Sequence, residues 1–408
     1  MTNIGTNVEA GTDTSSIYIE EVNDVDGFRL LKDPWNELLR QSPDNDIFLT
    51  WEWLFYWWKY YGEGKKLRIL LAKEGNRIRG IAPLMQSRYK YGLLSVNVLE
   101  NICTINCDRS GLIYSPENNS AVAVFMKYFT ELIDKEKLLV RISQVSDQSD
   151  FAAFLRDMPQ EFARSLKVKE RVISVCPYIL LPETWEEYQS HCYPNKKRLR
   201  NLRRLVKVLQ KEHEVEFKEY SGDDEELNDQ LQIMYELHKN RWINKTGTSK
   251  FIEGYVRDFY FEISKIFDRY GWLAFTSLNV DGKPVAFLWG FRYRNAWLAM
   301  TAAFDPEYSQ YSIGQLHYLK IIEKAIQERL EKFDFLKGGS EYKHHWTSTL
   351  IKNIQFTITR NKLRSKCRSV LLDVIIKLQN ISDRSLRQNI ILLYRKLRFP
   401  KDSDDKKS

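Results

Sequence analysis

The sequence predicts a mixed α/β protein (α+β) built as two halves of similar plan. Three observations predict it. Strand-like and helix-like segments alternate between residues 17 and 360. The order strand, helix, antiparallel strands, helix, strand occurs twice. A strongly basic amphipathic segment separates the two occurrences. Residue identity between the halves is too low to prove a duplication.

The first half opens with a strand at Ile17–Val22, followed by the aromatic run FLTWEWLFYWWKYYGEG (48–64), whose apolar spacing predicts a buried helix. Leu67–Lys73 and Arg77–Gln86 read as a hairpin across Glu74-Gly75-Asn76. Strands are expected near 94–99 and 111–114, then a helix at 121–135 and strands at 138–143 and 173–180. The second half repeats the order: a strand at 214–220, helices at 225–242 and 251–270, and strands at 272–280, 284–294 and 296–304. Asp281-Gly282 marks the first tight turn of this meander and Arg294-Asn295 the second. After the loop 305–314, a helix is expected to Leu330 and strands at 333–336 and 350–360.

A chain of 408 residues is long enough for two domains with sizeable cores. No apolar run approaches the roughly 20 residues needed to span a bilayer. The polar residues 1–16 read as a disordered leader without a signal pattern. The five cysteines are scattered and odd in number, which points to a reducing, cytoplasmic setting. Cys103 and Cys107 have no second Cys/His pair at metal-site spacing, so no metal is expected. The net charge of +8 resides in the tail: residues 361–408 hold 13 Lys/Arg against 5 Asp/Glu, leaving 49 of each sign in the rest. The organisation expected is a leader 1–16, a first domain 17–181, a basic linker 182–213, a second domain 214–360 and a basic helical tail 361–408.

The linker PNKKRLRNLRRLVKVLQK (194–211) holds eight basic residues and no acid, with Leu199, Leu202, Leu205, Val206 and Leu209 on one stripe. It is either a solvated connecting helix or a positive face for a polyanion or phosphate-bearing ligand. In the second half, a helix beginning directly after a strand and a short loop offers free N–H groups and a positive helix end to an anion. Gln310, Tyr311, Ser312, Ile313, Gly314 and Gln315 form that loop, and Gly314 permits close backbone approach. The matching segment of the first half, GLIYSPENNSAVAVFM, has no glycine at its helix start. That half is expected to be structural or to help bind an acceptor.

Three segments carry a family resemblance: KKRLRNLRRLVKVLQKEHEVEF, AFDPEYSQYSIGQLHYLKIIEKAI and FDFLKGGSEYKHHW. The second half resembles the Gcn5-related N-acetyltransferase (GNAT) fold. It resembles more closely the bacterial CelD-like acetyltransferases of polysaccharide biosynthesis, themselves related to the FemAB aminoacyltransferases with two tandem GNAT-like domains. The resemblance implies a pantetheine slot beside a splayed strand, here 296–304, with the cofactor pyrophosphate on the loop 310–315 and acetyl-CoA or another acyl-CoA as co-substrate. Ile313 and Gln315 depart from the family's glycine-rich pattern.

Acyl transfer needs a base and an oxyanion donor. Glu341 is the first candidate for the base and His344 the second, both after the flexible pair Gly338-Gly339. The alternative for Glu341 is a surface pair with Lys343 or Arg241. Lys343 matches a lysine of the Fem relatives, which implies contact with an acceptor phosphate; otherwise it is a surface lysine. Arg241 and Trp242 can hold a sugar or carboxylate, or Trp242 fills the core while Arg241 snorkels. Asp305 and Tyr308 flank the loop and either shape the cleft or cap the turn.

No nucleophile elbow, Walker loop, dinucleotide fingerprint or zinc-protease motif is present. Direct attack of the acceptor on a bound thioester fits this better than a covalent intermediate. The tail stretches Ser369–Leu378 and Leu386–Leu397 are amphipathic and basic, suited to protein docking or to peripheral membrane contact. The function expected is acyl transfer to an amino or hydroxyl group of a surface-polysaccharide sugar or its precursor. A Fem-like transferase using aminoacyl-tRNA and a non-catalytic scaffold are the alternatives. Oligomeric state is not read from the sequence.

Overall fold

The computed structural model describes residues 17–116, 119–222 and 224–398. The expected leader 1–16 and the chain end after 398 lie outside the described residues. The chain divides into two compact units. The first comprises Met1–Tyr178, Leu336–His344 and Ser348–Ile376; the second comprises Ile179–Phe335, His345–Thr347 and Lys377–Ser408.

The first unit holds two sheets. In one, Tyr18–Val22, Ile69–Glu74, Arg77–Ala82 and Ile113–Tyr114 lie side by side, all antiparallel. In the other, Leu166–Leu180, Leu350–Arg360, Leu139–Ser146, Leu94–Asn101, Leu84–Tyr91 and Lys66–Leu67 follow in that order. The expected strand 77–86 is therefore two strands in two sheets, divided at Pro83. Proline has no N–H for a ladder and marks such breaks. The helix Asn119–Glu136 supplies Phe125, Met126 and Phe129 to a core shared with Val140, Ile142 and Phe356.

The aromatic run forms the helix Trp51–Tyr61. The Thr50 hydroxyl caps it by accepting from Trp53 N–H. Trp51 and Trp57 are buried with their polar edges satisfied: Trp51 Nε1 donates to Phe28 O at 2.8 Å and Trp57 Nε1 to Ile105 O at 2.7 Å.

Leu350–Arg360, placed by sequence order in the second domain, pairs antiparallel with Leu139–Ser146 and Leu166–Leu180. Its alternating apolar residues complete the first unit's core through Ile354, Phe356 and Ile358. Sequence order gives no information about this long-range pairing. The tail is one helix, Leu363–Arg398, where two stretches were expected. Its Leu372 and Ile375 pack against Val96, Val98 and Leu139.

The second unit is a five-stranded sheet in sequence order: β1 (Val215–Glu219), β2 (Leu273–Val280), β3 (Lys283–Tyr293), β4 (Ala296–Phe304) and β5 (Lys332–Asp334). The first four are antiparallel and β5 joins β4 in parallel. Both expected turns occur, with Asp281, Gly282, Arg294 and Asn295 at positive φ. The helices are α1 (Lys196–Glu212), α2 (Asp224–Thr246), α3 (Gly254–Arg269) and α4 (Ile313–Gln327). The predicted stripe of α1 is the buried one: Leu199, Leu202, Leu205 and Leu209 are buried and Val206 half-buried.

Candidate functional site

Two features of β4 and α4 build a candidate anion and thioester site within the second unit. The first is an open strand edge. β5 pairs with Ala296, Trp297 and Leu298 only, so from Ala299 to Phe304 no strand among the described residues of this unit covers that edge of β4. The register with β3 shifts between Trp289 and Gly290, leaving Met300 as the extra residue of a bulge. Gly290 is needed there, because a Cβ would lie 2.0 Å from Leu298 O.

The second feature is the start of α4. After a 3-10 turn at Pro306–Tyr311, Ser312 takes a left-handed conformation (φ 55°, ψ 40°) and the fifteen-residue α4 begins. Gln315 and Leu316 N–H donate to Ser312 O at 2.8 and 3.1 Å. The amides of Ile313 and Gly314 make no hydrogen bond among the described residues. Two free amides at the positive end of a helix favour a phosphate.

Gly314 packs on Phe304: a Cβ would stand 2.9 Å from the ring. The Arg241 guanidinium lies 3.9 Å from the centroid of the same ring. Phe304, the last residue of β4, therefore connects the helix start to a cation from α2. The sequence named Gly314 and Arg241 for separate roles, donor and acceptor; the fold brings both to one aromatic ring.

The other loop residues divide. Ile313 is 1% exposed and anchors the loop in the core, which explains an apolar residue where a small one was expected. Gln310 is exposed and Gln315 half-buried, with the Gln315 side-chain oxygen unpartnered. Tyr311 donates to Glu212 Oε2 at 2.5 Å, and this carboxylate raises the phenol pKa. Tyr308 packs its ring against His213 at 6.4 Å. Asp305 caps the 3-10 turn, accepting from Glu307 N–H at 3.1 Å, and pairs with Lys283 at 3.5 Å. Trp242 is half-buried, stacked on His238 with ring centroids 5.9 Å apart.

Sequence reasoning missed the polar group beside Arg241. His238 Nδ1 lies 2.8 Å from Ser249 Oγ. Burial, then the charges of Lys250 and Arg241, lower its pKa from 6.5 to about 3. The Lys250 ammonium donates to Tyr260 OH at 2.5 Å and to Thr301 Oγ1 at 2.6 Å, next to the bulge. Helical spacing could have flagged His238, one turn before Trp242. Nothing local links Lys250 to Thr301.

Glu341 and His344 are exposed, on the single helical turn Glu341–His344 of the first unit. Lys343 is buried, not on the surface. Its ammonium donates to Leu336 O at 3.2 Å and Lys337 O at 2.8 Å, and so fixes the bend that carries Leu336 at positive φ. Lys337 N–H donates to the Asp108 carboxylate at 3.0 Å.

Residues 196–344 match the family model described as "Acetyltransferase (GNAT) domain". That stretch of the chain is similar to a GNAT acetyltransferase domain. The GNAT match runs from the first residue of α1 to His344 and so includes both the helix start and the candidate bases. Three solved structures share the fold at low identity. FemX gives a TM-score of 0.56 at 11% identity, covering 79% of this chain and 95% of its own. A conserved protein of unknown function from Bacteroides thetaiotaomicron VPI-5482 gives 0.53 at 15%, covering 84% and 100%. The C-terminal domain of a putative lysylphosphatidylglycerol synthetase from Agrobacterium fabrum gives 0.52 at 10%, covering 86% and 96%. These likenesses are of fold alone. No curated protein sequence matches the chain. Among the described residues no cluster of three or more His, Cys, Asp or Glu could hold a metal, and no helix is long and apolar enough to cross a membrane.

Proposed function

We propose that the GNAT domain moves an acetyl or similar acyl group from an acyl-CoA to an amino or hydroxyl group on a sugar of a surface polysaccharide or its precursor. One observation carries the donor half of this reading: the two free amides at the start of α4, beside the open edge of β4, with Arg241 on the shared Phe304 ring. The pyrophosphate would meet the Ile313 and Gly314 amides, and the pantetheine amides would pair with the open edge of β4. The acceptor heteroatom attacks the thioester carbonyl and forms the new bond to the acyl carbon, the C–S bond breaks, CoA leaves as its thiolate, and the acceptor's proton passes to a base and from it to the thiolate. We assign that base to Glu341, with His344 second, because both fall inside the family match. The sugar acceptor rests on the CelD-like resemblance of the three segments.

A second reading, aminoacyl-tRNA as donor, is favoured by the fold shared with FemX. The experiment is calorimetric titration of the full chain with acetyl-CoA, followed by an acceptor screen among amino sugars. Micromolar binding with transfer to a sugar supports the first reading. No binding at millimolar acetyl-CoA, with salt-sensitive retention of aminoacyl-tRNA, moves the second ahead.

A further inference from the structure

The exposed face of α1 has no role in the reaction just described. Its 3.6-residue turn sets Lys196, Lys197, Arg200, Arg203, Arg204, Lys207 and Lys211 within an arc of about 120°, and all seven are exposed. Lys196, Arg200, Arg203/Arg204, Lys207 and Lys211 follow one another at about 5–6 Å along the axis, a straight row about 22 Å long. None of the seven pairs with a carboxylate among the described residues. Lys196 donates to the carbonyls of Gln189 and Ser190, and Arg204 to Asn201 Oδ1 at 3.3 Å. The opposite side of the helix is spent on the core through Leu199, Leu202, Leu205 and Leu209, so the row is rigidly presented.

We propose that this row docks the protein on an anionic phospholipid surface. The chemistry of the face selects that partner over a nucleic acid. The other exposed positions of α1 are Asn201, Gln210 and Glu212; no aromatic is present on which unpaired bases could stack. A flat, straight row of unpaired cations matches a plane of headgroup phosphates, where each Lys or Arg adds an attraction independent of sequence readout. The contact is electrostatic and reversible, since the apolar stripe is buried in the fold and inserts nothing into the bilayer. The proposal does not depend on acyl transfer.

The test is sedimentation of the full chain with vesicles of phosphatidylcholine alone or with 30% phosphatidylglycerol, without any acyl donor, in low and high salt. The native protein is expected to bind the anionic vesicles only, and to leave them in high salt. Replacing three charges together (Arg200→Gln, Arg203→Gln, Lys207→Gln) is expected to lower the partition coefficient on the order of 100-fold, at roughly fivefold per charge, with an unchanged thermal melt. Equal partition of native and triple variant would overturn the proposal and point to the basic tail. So would a native protein that ignores anionic vesicles, or one whose α1 charges matter only for binding polyuridylate or tRNA.

Discussion

Arg241 offers the sharpest test of the proposed donor site. Arg241→Gln keeps a polar stem and removes the charge. The contact with the half-buried Phe304 at 3.9 Å is worth about 0.5–1 kcal/mol at a partly exposed site, so the melting temperature should fall by no more than about 4 °C. A hydrogen bond from a guanidinium to a phosphate contributes about 1.5–3 kcal/mol. That converts to roughly a 10- to 150-fold loss of affinity for acetyl-CoA. Calorimetry on acetyl-CoA and on acetyl-pantetheine, which lacks the phosphates, separates the two effects. The variant should weaken for acetyl-CoA and hold steady for acetyl-pantetheine. Equal weakening for both, or none for either, would refute the argument that Arg241 and the α4 amides form one anion site. Arg241 is a better probe than Gly314, where any side chain meets the Phe304 ring at 2.9 Å and disturbs packing as well as binding.

Four further outcomes are expected. His317 is buried with Nε2 3.0 Å from Thr276 Oγ1, and desolvation lowers its pKa from 6.5 to about 3. The unfolded chain therefore binds a proton below pH 6.5 that the native state refuses, and stability falls as pH drops. Between pH 7 and 5 this amounts to roughly 2 kcal/mol. His238 adds a similar share, and urea titrations of His317→Gln should lose one of the two contributions. Gly290→Ala places a methyl 2.0 Å from Leu298 O; a cost of at least about 3 kcal/mol is expected, read as a lower denaturation midpoint. Glu341→Gln should lower kcat on the order of 100-fold with little change in donor KM; a loss seen with His344→Ala instead would move the base to His344. Lys343→Met removes the ammonium that holds Leu336 O and Lys337 O, and should lower stability by about 1–3 kcal/mol, detected by thermal melt.

Much of this protein was legible in its sequence because the signals are local. The strand Leu273–Val280, the positive-φ turns at Asp281-Gly282 and Arg294-Asn295, the buried stripe of α1 and the helix after Ser312 each depend on residues within a few positions of one another. Helix-end electrostatics are local too, so Gly314 could be named as a candidate before the geometry of its helix start was known. Tertiary structure alone decided the rest. It moved Leu350–Arg360 into the first unit's sheet, because pairing partners some 200 residues away leave no trace in local spacing. It turned Lys343 inward onto two carbonyls and made Asp305 a turn cap. It also gathered Arg241, Phe304 and Gly314 at one ring and Lys250 against Tyr260 and Thr301. A sequence fixes which side chains can bear a charge or a hydrogen bond; only the folded chain sets which of them stand within the few ångströms over which those forces act.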